Sequence, residues 1–278
     1  MAVPRVLILR APGTNCDLET AHAFELAGAR TERIHVNRLF ESPQLFEDFQ
    51  ILCFPGGFSY GDDIAAGRVL ATRLHKRLAE PLAAFKDAGK LVLGICNGFQ
   101  VLIQTGLLLA EDEQGRPATL TWNERGRFED RWVHLEVAGE RCVFLEGIER
   151  MYLPIAHAEG RFLTRSPQVL QQLAEQGRLV LRYAAPHEEP VCVGPAASAL
   201  PITMRPAALP EPLPFPHNPN GAQGNVAGLC DETGRVLGLM PHPERHIDPT
   251  HHPRWTRGEA GEVGDGLALF QNAVRFFA

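Results

Sequence analysis

The run KLVLGICNGFQVL, residues 90–102, decides the fold. Its first half is apolar with no polar alternation, as in a strand buried on both faces. Its second half continues as an apolar helix through Leu108. Between them lies Gly94-Ile95-Cys96-Asn97-Gly98, a glycine-x-nucleophile-x-glycine pattern at a strand-to-helix turn. A sharp turn there strains the backbone of the central residue. Flanking glycines remove side chains that would clash, and the helix N-terminus beneath Cys96 favours a thiolate. The same pentapeptide also suits a buried core cysteine whose glycines serve only helix–sheet packing.

Working outward, residues 50–54 (QILCF) read as another buried strand, ending in Pro55-Gly56-Gly57. Residues 65–88 read as a long helix interrupted near Pro81, and RVLILR, Arg5–Arg10, as the first strand. Asp17 reads as an N-cap, 18–27 as a helix that Gly28 stops, and 33–36 as a short strand. Apolar strands alternating with helices predict an α/β fold. The expected form is a three-layer, mostly parallel central sheet with helices on both faces and the active site at the strands' carboxyl ends. From Ala118 onward the texture turns strand-like, at 120–122, 131–137, 151–156 and 179–183. Residues 226–230 and 235–240 read as a hairpin, and 267–277 as a closing helix. The whole, 1–278, reads as a single domain.

Nine prolines fall between Pro186 and Pro216. Proline at that density excludes an uninterrupted helix or a central strand. The stretch reads as a surface insertion whose removal over 188–213 leaves folding intact.

Composition sets the outer bounds. Apolar residues are 45% and charged residues 22%, ordinary for a soluble globular chain. A net charge of −6 gives no basic footprint for nucleic acid. No apolar stretch approaches a membrane span, and the N-terminus lacks a signal-peptide layout, so the expected location is cytoplasmic. Six cysteines without a CxxC pair read as free thiols, Cys53 as plain core. Neither a P-loop nor a GxGxxG is present.

Cysteine acyl transfer needs a histidine held by a third group, and donors for the oxyanion. His242 lies in Leu239-Met240-Pro241-His242-Pro243-Glu244-Arg245, directly after a strand and between two prolines. Glu244, two residues on, is placed to orient it. A histidine followed by glutamate is also common on surfaces. The backbone N–H of Asn97 and one from the PGG loop are candidate oxyanion donors, although a tight turn explains PGG equally well. His246, His251 and His252 carry no metal-ligand spacing, so no metal site is expected.

Taken together these residues resemble the class I (triad) glutamine amidotransferases. The match is G-x-C-x-G-x-Q at Gly94 to Gln100 with a distant Pro-His-Pro-Glu. Within that class the chain resembles the amidotransferase subunits of phosphoribosylformylglycinamidine synthases. The segments APGTNCDLE (11–19), FPGGFSYGDD (54–63), NERGRFEDRWV (123–133), PIAHAEGRF (154–162) and NPNGAQGNVAGLCDETGRVLGLMPHPER (218–245) carry this, in the family's order. The resemblance implies a flavodoxin-like fold. It implies Cys96 as nucleophile on glutamine, His242 as acid and base, and Glu244 as its orienter. It also implies Gly57 and Asn97 as oxyanion donors, and Gln100 and the loop around His157 at the glutamine pocket. Implied partners are L-glutamine, an ATP- and Mg2+-using synthetase subunit and a small bridging subunit, with no cofactor in this chain. The rival readings are a stand-alone cysteine hydrolase of γ-glutamyl peptidase type and a non-catalytic scaffold. Two departures from the family pattern bear on the site: Ala158 where the family has glycine, and Arg125 where a small hydroxyl residue is usual.

Overall fold

The structure is a computed structural model and describes residues 3–186 and 209–278. Its elements in chain order are β1 (Arg5–Arg10), α1 (Asp17–Leu26), β2 (Arg30–His35), α2 (Val36–Glu41), β3 (Ile51–Phe54), α3 (Arg68–Asp87), β4 (Leu91–Ile95) and α4 (Asn97–Thr105). Then follow β5 (Ala118–Thr121), β6 (Glu129–Val137), β7 (Arg150–His157), β8 (Arg161–Thr164), α5 (Pro167–Glu175), β9 (Leu181–Ala184), β10 (Val226–Cys230), β11 (Val236–Leu239) and α6 (Leu267–Arg275).

Nine strands form one sheet in the order β2-β1-β3-β4-β11-β10-β9-β6-β7. The half from β2 to β11 is parallel, and the half from β11 to β7 is antiparallel. Every residue of β3, β4, β10 and β11 is buried, as expected for strands covered on both faces. β1 to β2 steps one way along the sheet and β3 to β4 the other. Right-handed crossovers therefore put α1 and α3 on opposite faces. On one, Phe24 of α1 meets Phe270 of α6 edge-to-face with centroids 4.9 Å apart. Burying each ring contributes about 1.5–3 kcal/mol. On the other, α3 packs on α4. β5 and β8 make a separate two-stranded ribbon.

Most of the elements read from the sequence are present, with several differences. Asp17 opens α1 from inside its first turn, and its carboxylate pairs instead with Arg10 at 2.8 Å and Arg33 at 3.0 Å. The break in α3 falls at Leu78, three residues before Pro81. The proline ring crowds the turn preceding it and leaves a carbonyl there without a donor. β8, α2 and α5 had no counterpart in the sequence reading.

Residues 187–208 of the proline-rich stretch lie outside the described residues. Its end, 209–216, is tied to the fold. Asn225 accepts from the Leu213 N–H at 2.9 Å and donates to the Glu211 carbonyl at 2.9 Å. Leu209 packs on the core. A deletion reaching Leu213 thus removes anchoring contacts, and the expectation that it spares folding needs that correction. Among the described residues no helix is long and apolar enough to cross a membrane.

Candidate active site

Strand register brings the nucleophile and base together. β4 and β11 are parallel neighbours with Gly94 opposite Gly238 and Ile95 opposite Leu239. Each strand's next residues leave the sheet at its carboxyl edge, so Cys96 and His242 emerge side by side. The Cys96 N–H donates to the Leu239 carbonyl at 2.8 Å, locking the two exits together.

The turn at Cys96 is a strained elbow, with φ 51° and ψ −104°. A non-glycine residue in that region costs about 1–3 kcal/mol, repaid by its surroundings. The glycines have separate jobs. A Cβ on Gly98 would lie 1.8 Å from the Phe54 carbonyl oxygen of β3, and one on Gly94 2.7 Å from the Gly98 oxygen. Glycine alone lets α4 cross so close to the sheet. Cys53, by contrast, is a fully buried strand residue whose thiol burial pushes well up, as befits an inert core position.

His242 Nδ1 lies 2.6 Å from Glu244 Oε1, both side chains buried. Burial alone pushes an imidazole's pKa down. Here the Glu244 charge, and then Cys96, more than offset it and hold His242 well above its usual value. The arrangement favours an imidazolium beside the thiol, a group that can give up a proton. The His242 N–H itself donates to the Pro154 carbonyl at 2.9 Å.

The two expected oxyanion donors sit at the same edge. Gly57 has φ 143°, and a Cβ there would lie 2.8 Å from both the Asn15 nitrogen and the Gly13 oxygen. Loop 11–16 zips onto it through Phe58 N–H to the Gly13 oxygen at 2.9 Å and Cys16 N–H to the Gly56 oxygen at 3.2 Å. Asn97 opens α4, and its side chain accepts from the Ser59 N–H at 3.2 Å. It donates to Asp62 at 3.1 Å and to Gln100 at 2.9 Å. Gln100 in turn donates to the Glu159 carbonyl at 2.6 Å. Its amide is thus committed within the protein and ties α4 to the turn after β7.

His157 is buried next to His242, with Nδ1 3.1 Å from Asn123 Oδ1. Burial, then the neighbouring His242, pushes its pKa down to about 3, so it stays neutral. Asn123 organises this turn: it also accepts from the Gly160 N–H and donates to the carbonyls of His157 and Arg127. Gly160 is the position that must be glycine, since a Cβ would lie 2.1 Å from His157 Cε1. Ala158 is not among the residues of positive φ, so alanine costs no strain there. Arg125 is exposed and lays its guanidinium 4.1 Å from the Phe215 ring centroid.

Two participants carried no signal in the sequence reading. Three carbonyls of β7 at alternate residues face the site: Tyr152 toward His246 Nδ1 at 2.7 Å, Pro154 toward His242, and Ala156 toward Cys96 Sγ at 3.8 Å. β7 ends the sheet, and its outer edge is spent on the catalytic loops instead of a further strand. The other is Cys16, whose Sγ lies within 4.8 Å of ligating atoms of both His242 and Glu244. Its thiol donates to Asn15 at 3.2 Å and accepts from Arg245 at 3.1 Å. It belongs to the quoted segment APGTNCDLE, 226 positions from His242, so only the fold joins them.

A strained cysteine elbow joined to a buried histidine–glutamate pair at the carboxyl edge of a parallel sheet defines a thiol amidohydrolase site. The sequence matches the CobB/CobQ-like glutamine amidotransferase domain over residues 3–198 and 211–277, and the chain belongs to that family. It is 45% identical over 277 residues to phosphoribosylformylglycinamidine synthase subunit PurQ of Dehalococcoides mccartyi, covering 99% of this chain and 98% of that one. To the subunit of the same description from Methanococcus maripaludis strain S2 it is 39% identical over 287 residues, with 99% and 98% covered. A chain in the structure of PurLQS from Thermotoga maritima superposes with a TM-score of 0.71 at 28% identity, each chain covered in full.

Proposed function

We propose that this chain is the glutaminase subunit of a phosphoribosylformylglycinamidine synthase. The observation that carries the reading is the Cys96 elbow held against the His242–Glu244 pair. Cys96 attacks the side-chain amide of glutamine, giving a γ-glutamyl thioester. His242 protonates the leaving ammonia and then takes a proton from the attacking water, while Glu244 holds the ring and its charge. The Gly57 and Asn97 N–H groups face the oxyanion. Gln100 and His157 border the glutamine pocket, His157 as a neutral group. Ammonia passes to a synthetase subunit that converts formylglycinamide ribonucleotide to formylglycinamidine ribonucleotide, a step of purine biosynthesis. ATP and Mg2+ belong to that partner, a small subunit bridges the two, and this chain carries no cofactor. The chain acts as a single amidotransferase domain in the cytoplasm. Free thiols at Cys16, Cys53, Cys96, Cys142 and Cys230 support a reducing compartment.

Cys96 is 5% exposed, His242 2% and Glu244 1%. So enclosed a site supports gating, with glutamine admitted when the synthetase docks. Enclosure also keeps released ammonia from water, which would convert it to non-nucleophilic ammonium. The test is ammonia and glutamate release from glutamine, with and without synthetase, formylglycinamide ribonucleotide and ATP. The expected result is partner-dependent release that Cys96→Ala abolishes. Release by the free chain that partner and nucleotide leave unchanged would overturn the gating; no release in a folded complex would overturn the glutaminase reading.

A further inference from the structure

Beside the His242–Glu244 pair lies a buried side chain that the mechanism leaves unused, Cys16. Its Sγ, an imidazole nitrogen of His242 and a carboxylate oxygen of Glu244 all lie within 4.8 Å of one another, and all three residues are buried. Glu244 Oε2 and His242 Nε2 are buried without a hydrogen-bond partner, although an unpaired buried carboxylate oxygen is costly. A glycine keeps a side chain away from the thiol and the imidazole. A Cβ on Gly56 would lie 2.7 Å from His242 Cε1, 3.1 Å from Cys16 Sγ and 3.4 Å from His242 Nδ1.

We propose that Cys16, His242 and Glu244 form a binding site for a thiophilic divalent cation of the Zn2+ type, and that its occupation shuts the glutaminase off. The inhibitory half rests on the function proposed above; the binding half stands on the donor set alone. Sulfur, nitrogen and carboxylate oxygen are the Zn2+ donors, and tetrahedral Zn2+ places such donors about 3.3–3.6 Å apart. Reaching that spacing takes small shifts of opposite sense: His242 Nδ1 and Glu244 Oε1, now 2.6 Å apart, give up their hydrogen bond and part, while the Cys16 thiol, within 4.8 Å of both residues, stays or closes on them. Thiolate and carboxylate together balance the ion's two charges. Burial pushes the Cys16 thiol up, so the metal-free site holds it protonated; Arg245, donating to it at 3.1 Å, offsets part of that and has its own counter-charge in Glu19 at 3.4 Å. On binding, the Cys16 S–H bond and the imidazolium N–H facing the ion break, and both protons leave to solvent. Metal–sulfur, metal–nitrogen and metal–oxygen bonds form. A metallated imidazole keeps its other N–H but no longer cycles between imidazolium and free imidazole, so it can neither protonate leaving ammonia nor take a proton from the attacking water. The soft thiolate also separates this site from Mg2+, which takes oxygen donors in an octahedron.

The test uses the full chain and Co2+ as a spectroscopic stand-in for Zn2+. Titration should raise a thiolate-to-metal charge-transfer band that Zn2+ removes and excess Mg2+ leaves in place. The band should persist in Cys96→Ala and vanish in Cys16→Ser. In Glu244→Gln, which keeps side-chain volume, Co2+ affinity should fall by at least about tenfold. In the assembled enzyme, Zn2+ should inhibit the wild type at concentrations at least about tenfold below those needed for Cys16→Ser, each compared with its own metal-free rate. No band in the wild type, or a band lost in Cys96→Ala and kept in Cys16→Ser, overturns the site. If the wild type binds Co2+ but releases no ammonia under any condition, the glutaminase reading has failed and the metal site has not.

Discussion

His157 and His242 are neighbours, both almost wholly buried, and they titrate in opposite directions. His157 meets a neutral amide, Asn123, and is pushed down to about 3. His242 meets a carboxylate at 2.6 Å, and Glu244 and Cys96 together hold it well above 6.5 despite its burial. Burial alone removes the charge from an imidazole; one carboxylate, with the thiol beside it, restores it. The two histidines therefore pull stability in opposite pH senses. His242, raised, contributes stability that is present below 6.5 and lost as pH rises through its folded-state pKa. His157, lowered, contributes stability that is present above 6.5 and lost as pH falls toward 3. The charge on His242 also helps keep its neighbour neutral, since two adjacent imidazolium ions would repel.

Glu244→Gln should break this contrast most severely. It keeps the side chain's shape but removes the charge that separates His242 from His157. His242 should then titrate below its ordinary value. Glutaminase turnover in the assembled enzyme should fall about 10²–10⁴-fold, in the range set by loss of a positioned acid–base group or its orienting carboxylate. A drop under about threefold, with the His242 titration unmoved, would show that Glu244 is not what charges the ring.

The converse change is Asn123→Asp, which puts a carboxylate 3.1 Å from His157 Nδ1. His157 should rise from about 3 toward the ordinary range, read by NMR of its ring protons. The same substitution removes the two donors that Asn123 gives to the His157 and Arg127 carbonyls. The Arg127 carbonyl can turn to solvent, but leaving the buried His157 carbonyl unpaired costs about 1–3 kcal/mol, so the denaturant midpoint should fall accordingly. A His157 that stays near 3 would mean that burial dominates over any nearby charge.

How much of this pair the sequence could convey follows from what sets it. Pro-His-Pro-Glu puts a histidine and a glutamate in one stiff segment, and Gly-x-Cys-x-Gly marks the elbow, so the cluster that the fold assembles from Cys96, His242 and Glu244 was readable locally. The sheet half from β1 to β4 was readable because buried parallel strands are written as unbroken apolar runs. The neutrality of His157 was not, because it follows from 3% exposure and an asparagine 34 positions away. Neither were the β7 carbonyls, since backbone groups carry no residue signature, nor β8, four residues that among the described residues pair with β5 alone. Cys16 looked like one thiol among six until the ends of β1 and β11 met.

A smaller effect sharpens the contrast through pH alone. Between 6.5 and about 3 an unfolded chain protonates the His157 position while the folded chain does not. The unfolded state binds more protons there, so unfolding free energy should fall as the medium is acidified. The contribution is about 1.4 kcal/mol per pH unit. His157→Gln should remove that part of the slope. Chemical denaturation of wild type and variant at several pH values below 6.5 measures it, and parallel acid limbs would contradict the buried neutral histidine.

The smallest expected effect concerns the residue next to His157. If a glycine were needed there for a left-handed backbone, Ala158→Gly would stabilise the protein. Ala158 is not among the residues with positive φ, and its carbonyl already accepts from the Asn123 N–H at 2.8 Å. Glycine therefore relieves no strain, and it adds conformational freedom to the unfolded chain. The expected change is a loss of up to about 1 kcal/mol, with the His157 titration unmoved. The glycine that does matter is two residues on, where a Cβ on Gly160 would collide with the His157 ring. A stabilised Ala158→Gly variant would place the constraint on His157 in the backbone before Gly160. The asparagine–histidine contact would then be a consequence of the turn and not its cause.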